Sequence, residues 1–146
     1  MGIFRKDKFE PKVSGVFDNI DMCKTAIEYA KSFGVKLDYS SKSLKAVDYK
    51  ILEYYSNDLS VSNPSEHQIW CMALIWGTYL GETLLGTGLT GFTWYLPPEE
   101  DIPILIQKNN DLATEITPIH KTYKRLVNGI EDSIVSFYDV MLIECR

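Results

Sequence analysis

A chain of 146 residues, 45% hydrophobic and 24% charged, has the size and composition of one folded domain and excludes a disordered or low-complexity protein. Its net charge of −5 argues against nucleic acid, whose counterions are displaced only by a concentrated positive face. Three cysteines (Cys23, Cys71, Cys145) give neither a disulfide framework nor paired zinc ligands, and the longest apolar run, Ile69 to Trp76, is far short of the ~20 residues that cross a bilayer, so a cytoplasmic protein away from the membrane is expected.

Residues 1–17 mix charges with Pro11 and Gly15 and read as an arm, the domain proper running from 18 to 146. From Asp18, a cap candidate, Ile20, Cys23, Ala26, Ile27, Ala30 and Phe33 recur at helical steps, and Gly34 can end that helix in the left-handed conformation. Val35 to Tyr39 reads as a short extended stretch. A second helix is capped by Ser40 or Ser41, shares a face among Leu44, Val47, Ile51, Leu52 and Tyr55, and ends at Asn57-Asp58.

Asn63-Pro64-Ser65-Glu66 is a helix-start signal: Asn caps free amides, Pro tolerates the first turn and Glu can reach back. The third helix, 64–85, is apolar on almost every side and belongs at the centre of the fold. Gly77 and Gly81 lie four apart on it, at a cost of roughly 1 kcal/mol each relative to Ala. That cost implies close packing of another backbone against their face.

Gly86, Gly88 and Gly91 release the chain into Phe92 to Leu96, a strand by its aromatic and β-branched bias. Pro97-Pro98-Glu99-Glu100-Asp101 is the turn, Ile102 to Gln107 the partner strand with Pro103 at its start, and Leu112 to Ile116 a third strand after Asn109-Asn110-Asp111. Thr117-Pro118 opens a helix that carries Ile119, Tyr123, Leu126 and Val127 inward to Gly129, and Glu131-Asp132 opens the last. The fold class is therefore α+β: about five helices around a small two- or three-stranded antiparallel sheet.

Several fragments resemble a family of small bacterial proteins of unknown function. They are Leu37-Asp38-Tyr39-Ser40 with Ser43-Leu44 and Val47-Asp48, Gly77-Thr78-Tyr79-Leu80-Gly81-Glu82, Trp94, and Pro118 with the run from Lys124 to Ser133. Together they span about residues 37–138. The resemblance implies a cytosolic α+β domain, and the company some similar proteins keep with secreted-toxin systems implies an immunity role. It supplies no catalytic residue.

Glu82, on the apolar helix, is a candidate acid or base if buried alone, and a structural ion pair if Lys124 or Arg125 reaches it. His67 and Cys71, four apart, could supply half a zinc site only if His120 and another cysteine converged on them; a small core thiol beside a surface histidine is the simpler expectation, and neither a metal nor any other cofactor is expected. No nucleophile elbow, phosphate loop or HExxH helix is present. Glu99, Glu100 and Asp101 make an acidic tip suited to a basic partner, and Trp94, Tyr95 and Tyr54 are aromatics of the kind that favour interfaces.

These features favour a non-catalytic domain that binds another protein, concretely a basic toxin. A small-molecule binder or enzyme using Glu82, and a homo-oligomeric structural subunit such as a homodimer, are the alternatives.

Overall fold

The computed structural model describes residues 18–145; the arm 1–17 lies outside the described residues. Helix α1 (Asn19–Lys31) starts where the Asp18 carboxylate accepts from the Asp21 amide at 2.9 Å. It buries Cys23, Ala26 and Ala30 against the central helix, and these small residues let the two axes approach. Gly34, at φ +73°, turns the chain out of it. The 35–40 connection buries Val35 and Leu37 but joins no sheet, so its alternation is that of a strand without a partner.

Helix α2 runs unbroken over 41–62: an α-helical start at Ser41–Ala46, a π-helical stretch at Val47–Leu52 and an α-helical end at Glu53–Ser62. Ser40 caps it, its hydroxyl accepting from the Ser43 amide at 3.0 Å. Asn57-Asp58 does not end it. The Asn57 amide instead reaches one turn back to the Glu53 carboxylate. The helix stops at Asn63, which takes a left-handed φ of +48° that Asn tolerates better than other non-glycine residues.

Asn63 therefore closes α2, and Ser65 caps α3 (Glu66–Thr87), two residues later than the 64–85 expected. Ser65 and Gln68 form a reciprocal capping box, at 3.1 Å and 2.8 Å. Eleven residues of α3 are buried, including Trp76, Tyr79, Leu80 and Leu84, and it packs on both α1 and α4 (Pro118–Asn128), so it is the central element. Each large apolar side chain so placed contributes roughly 1.5–3 kcal/mol. The buried hydroxyls of Thr78 and Thr83 donate to the carbonyls four residues back, which lets an apolar interior hold them.

The close backbone that the glycines' cost implied is found at Gly77 but not at Gly81, which faces side chains. A Cβ on Gly77 would lie 2.5 Å from the Ile119 Cα, and one on Gly81 would lie 2.5 Å from the Trp94 ring. One glycine admits the α4 backbone and the other admits an indole.

Strands β1 (Thr93–Tyr95), β2 (Ile104–Asn109) and β3 (Leu112–Ile116) form an antiparallel sheet in that order. Leu105 at its centre pairs with Trp94 and Ile116, and Ile104, Leu105 and Ile106 are all buried. Pro103 precedes β2 and removes no ladder bond.

In α4, Pro118 takes the first turn without a side-chain cap from Thr117. Val127, expected inside, is 41% exposed, because Arg125 and Leu126 occupy the inward positions. After Gly129 (φ +91°) comes a 3₁₀ turn, Ile130–Asp132, and then α5 (Ile134–Cys145). Ser133, whose hydroxyl accepts from the Ser136 amide at 3.1 Å, opens α5 in place of Glu131-Asp132. Five helices and a three-stranded antiparallel sheet make the described residues an α+β domain.

Candidate functional site

Glu82 sits half-buried on α3 where α1 and β1 meet it. One carboxylate oxygen accepts from Asn19 Nδ2 at 2.9 Å and from the Trp94 indole N–H at 2.8 Å. Neither Lys124 nor Arg125 reaches it, so the expected ion pair is replaced by two neutral donors from flanking elements. Close by, burial pushes the Cys23 thiol up to about 12, offset in part by its hydrogen bond with Tyr39 and reinforced by the Glu82 charge. A thiol so disfavoured as a thiolate is a poor nucleophile near neutrality.

Tyr39 stands at φ +65°, stacks on Tyr79 with ring centroids 5.0 Å apart, and accepts a constraint at its own amide, which donates to the Tyr79 hydroxyl at 2.7 Å. Tyr79 in turn shares a 2.6 Å hydrogen bond with Ser43. Burial, with the neighbouring Cys23 and Glu82 adding to it, pushes the Tyr39 phenol up to about 12. The group as a whole ties α1, the 35–40 connection, α3 and β1 together.

Arg125 belongs to a second buried network that the sequence did not announce. Its Nε donates to Asp48 Oδ1 at 2.6 Å, and one terminal nitrogen donates to the Asp48 carbonyl at 2.9 Å and to Glu53 at 2.7 Å. The other Asp48 oxygen takes the Ser133 hydroxyl at 2.6 Å and the Val135 amide at 3.0 Å. Asp48 and Arg125 have no solvent exposure at all, whereas Glu53 is 40% exposed at its side chain and is held below its ordinary value by the Arg125 hydrogen bond. Burying such a pair is tolerated because both Asp48 oxygens and two of the three Arg125 nitrogens are hydrogen-bonded, the remaining terminal nitrogen being buried without a partner among the described residues. The signal available was a lone Asp on an apolar helical face and a lone Arg on another; nothing linked them across 77 positions.

His67 and Cys71 share a face of α3, and His120 lies nearby through Trp70, whose ring stands edge-on to it at 5.8 Å. Trp70 also stacks on Tyr123 at 4.0 Å, and the Tyr123 hydroxyl donates to Glu66. Desolvation holds His120 below its ordinary value, with Glu100 opposing and Lys124 adding to the shift. Among the described residues no three His, Cys, Asp or Glu side chains converge as a metal cage.

The six residues expected at a partner surface divide between two regions. Trp94 is half-buried, its ring on Gly81 and its N–H on Glu82, while Tyr95 beside it is 41% exposed. Glu99 and Glu100 are exposed on a turn closed by the Glu100 amide on the Pro97 carbonyl at 3.1 Å, and Glu99 adopts φ +63°. Asp101 is half-buried, one carboxylate oxygen out of solvent, so the acidic tip consists of two glutamates. Tyr54 lies elsewhere, on α2, 55% exposed and packed edge-to-face on Phe33 and Tyr55.

No protein-family model matches this chain, and comparison with curated proteins and with solved structures gives no significant match.

Proposed function

We propose that this chain is a non-catalytic domain that acts by binding another protein, and that the partner of its hairpin end is basic. The observation that carries this reading is the pair of exposed carboxylates, Glu99 and Glu100, on a hydrogen-bonded turn next to exposed Tyr95. Exposed like charges steer association, and a tyrosine adds contact area at small entropic cost. The family resemblance gives the partner a concrete form, a toxin neutralised by direct contact. Glu82 adds support from the other side, since its carboxylate is engaged by Asn19 and Trp94 rather than aimed at open space.

The test is a pull-down from lysate of the native organism at low and moderate salt, with the wild-type chain and with Glu99→Lys/Glu100→Lys. Asp101 is left alone because it is half-buried. A stoichiometric partner that is released by salt and lost on charge reversal is the expected result. A partner held equally well by the variant refutes the acidic surface. If Glu82→Gln, still folded, abolishes a ligand-induced shift in melting temperature, the small-molecule reading replaces this one.

A further inference from the structure

The net charge of −5 hides a strong segregation. Lys31, Lys36, Lys42, Lys45 and Lys50, a third of the fifteen basic residues, fall within twenty positions of sequence, where the acidic residues are Asp38 and the fully buried Asp48. The fold gathers three of them around one depression. A groove of about 450 Å³ between the 34–40 connection and the first half of α2 is lined by Lys36, Lys42 and Lys50, with Asp38, Ser40 and Ser43 between them. Two left-handed residues, Gly34 at φ +73° and Tyr39 at φ +65°, give the connection its curve.

These charges are uncommitted. Among the described residues Lys36, Lys42 and Lys50 enter no ion pair, whereas Lys31 is matched to Glu28 and Lys121 to Asp132. The one carboxylate in the groove is already engaged: Asp38 accepts from the Ser40 amide at 3.1 Å and hydroxyl at 2.5 Å, which also holds it below its ordinary value. One turn beyond Lys50 on α2 stands Tyr54, in a triangle of edge-to-face rings with Phe33 and Tyr55 whose centroids lie 5.5–5.6 Å apart. Tyr54 is 55% exposed and Tyr29, on α1, is 50% exposed. An aromatic shelf thus stands one helical turn beyond the cationic groove.

We propose that this face is a docking surface for an acidic segment of a partner protein, carboxylates seated among Lys36, Lys42 and Lys50 and an apolar side chain on the Phe33–Tyr54 shelf. It carries the opposite sign from the hairpin end and does not depend on the reading of that end. A protein segment is favoured over nucleic acid because the groove presents three lysines over a short span, too few to track a phosphate backbone, on a chain whose net charge is −5. Tyrosine-rich, partly apolar shelves rimmed by charge are the composition of protein interfaces.

The test uses the full chain and fluorescence anisotropy with three probes: a fluorescein-labelled peptide of Glu-Glu-Leu repeats, its Gln-Gln-Leu counterpart, and an oligothymidylate of the same length. The acidic peptide binds, and binding weakens with salt. Lys36→Glu/Lys42→Glu/Lys50→Glu lowers its affinity at least about tenfold, the sum expected of three modest surface contacts. Tyr54→Ser weakens it with the salt dependence unchanged, and Glu99→Lys/Glu100→Lys does not weaken it, which separates this surface from the hairpin end. Three results overturn the proposal: no saturable binding of the acidic peptide at low salt, equal binding by the triple variant, or tighter binding of the oligothymidylate. Light scattering adds a fourth. A concentration-dependent rise in mass that the triple variant abolishes assigns the groove to a second copy of this chain.

Discussion

Asp48 and Arg125 set the largest single-residue effect. Removing Arg125 leaves Asp48 buried without its counter-ion, and removing Asp48 leaves Arg125 with only the half-exposed Glu53, losses that reach about 3–5 kcal/mol, whereas removing both costs much less. Asp48→Ala is therefore expected to lower the urea midpoint severely, and Asp48→Ala/Arg125→Met to recover a substantial part of the loss; an additive double variant would show that the pair is not coupled. The glycines of α3 permit a cleaner comparison within one helix. At Gly86 a Cβ meets nothing within 4 Å, so Gly86→Ala should stabilise by about 0.5–1 kcal/mol through lost freedom in the unfolded chain. At Gly77 the same methyl group runs into the Ile119 backbone, and Gly77→Ala should destabilise by about 1–3 kcal/mol. Thermal denaturation of the two variants checks both signs, and a stabilised Gly77→Ala would mean the helices part without penalty.

Helix boundaries show what sequence patterns could and could not reveal. Spacing of apolar residues placed all five helices, Gly77 met the close backbone that its cost implied while Gly81 met a side chain instead, and turn residues separated the three strands, although β2 runs over 104–109 rather than the 102–107 expected and takes Asn109 out of the turn. Boundaries failed where two signals competed. Asn63 and Ser65 are both good caps, and only the left-handed end of α2 decides between them. Ser65→Ala should accordingly cost about 1 kcal/mol and Asn63→Gly almost nothing, since Gly adopts φ +48° freely. Chemical denaturation distinguishes this from the opposite assignment, in which Asn63 would be the costly position. The π-helical stretch was missed although its trace is present. Buried residues recur in pairs at Ser43 and Leu44, Val47 and Asp48, and Ile51 and Leu52, a period of four that exceeds 3.6 and that a wider turn accommodates. The Glu82 contacts were beyond reach for another reason. They join α1, α3 and β1 through Asn19 and Trp94, neither of which carries charge to advertise the partnership.

For the molecule as a whole, stability should be bounded on both sides of neutrality. His120 is held below its ordinary 6.5 by burial, so the folded state binds its proton less readily than the unfolded state; the stability this contributes is present above 6.5 and is lost as pH falls below it. Glu53 and Asp132, depressed mainly by their hydrogen bonds to Arg125 and Lys121, lose their contributions at lower pH again, below the ordinary values of 4.5 and 3.8. On the alkaline side Cys23, Tyr39 and Tyr123 are all pushed up to about 12, chiefly by burial, so their contributions are complete below the ordinary values of 9.0 and 10.0 and fade as pH rises through about 12. Melting temperature against pH should thus form a plateau from near 7 to near 9, and the first decline on the acid side should be missing in His120→Gln. A decline unchanged in that variant would assign it to another group.

Helix α3 and helix α4 lie against each other, yet the chain leaves one at Thr87 and reaches the other only at Pro118, having built the whole sheet in between. The sheet is an excursion from a helical hairpin, and its outermost point is the exposed turn at Asn110-Asp111. Severed there, the chain would fall into two pieces that share three long-range locks: Gly77 and Asp48 on the first, Ile119 and Arg125 on the second, with β2 and β3 as the two sides of a ladder. Expressed as separate polypeptides, the halves are expected to find one another and co-purify as a single folded body, so that this small protein can be reconstituted from parts.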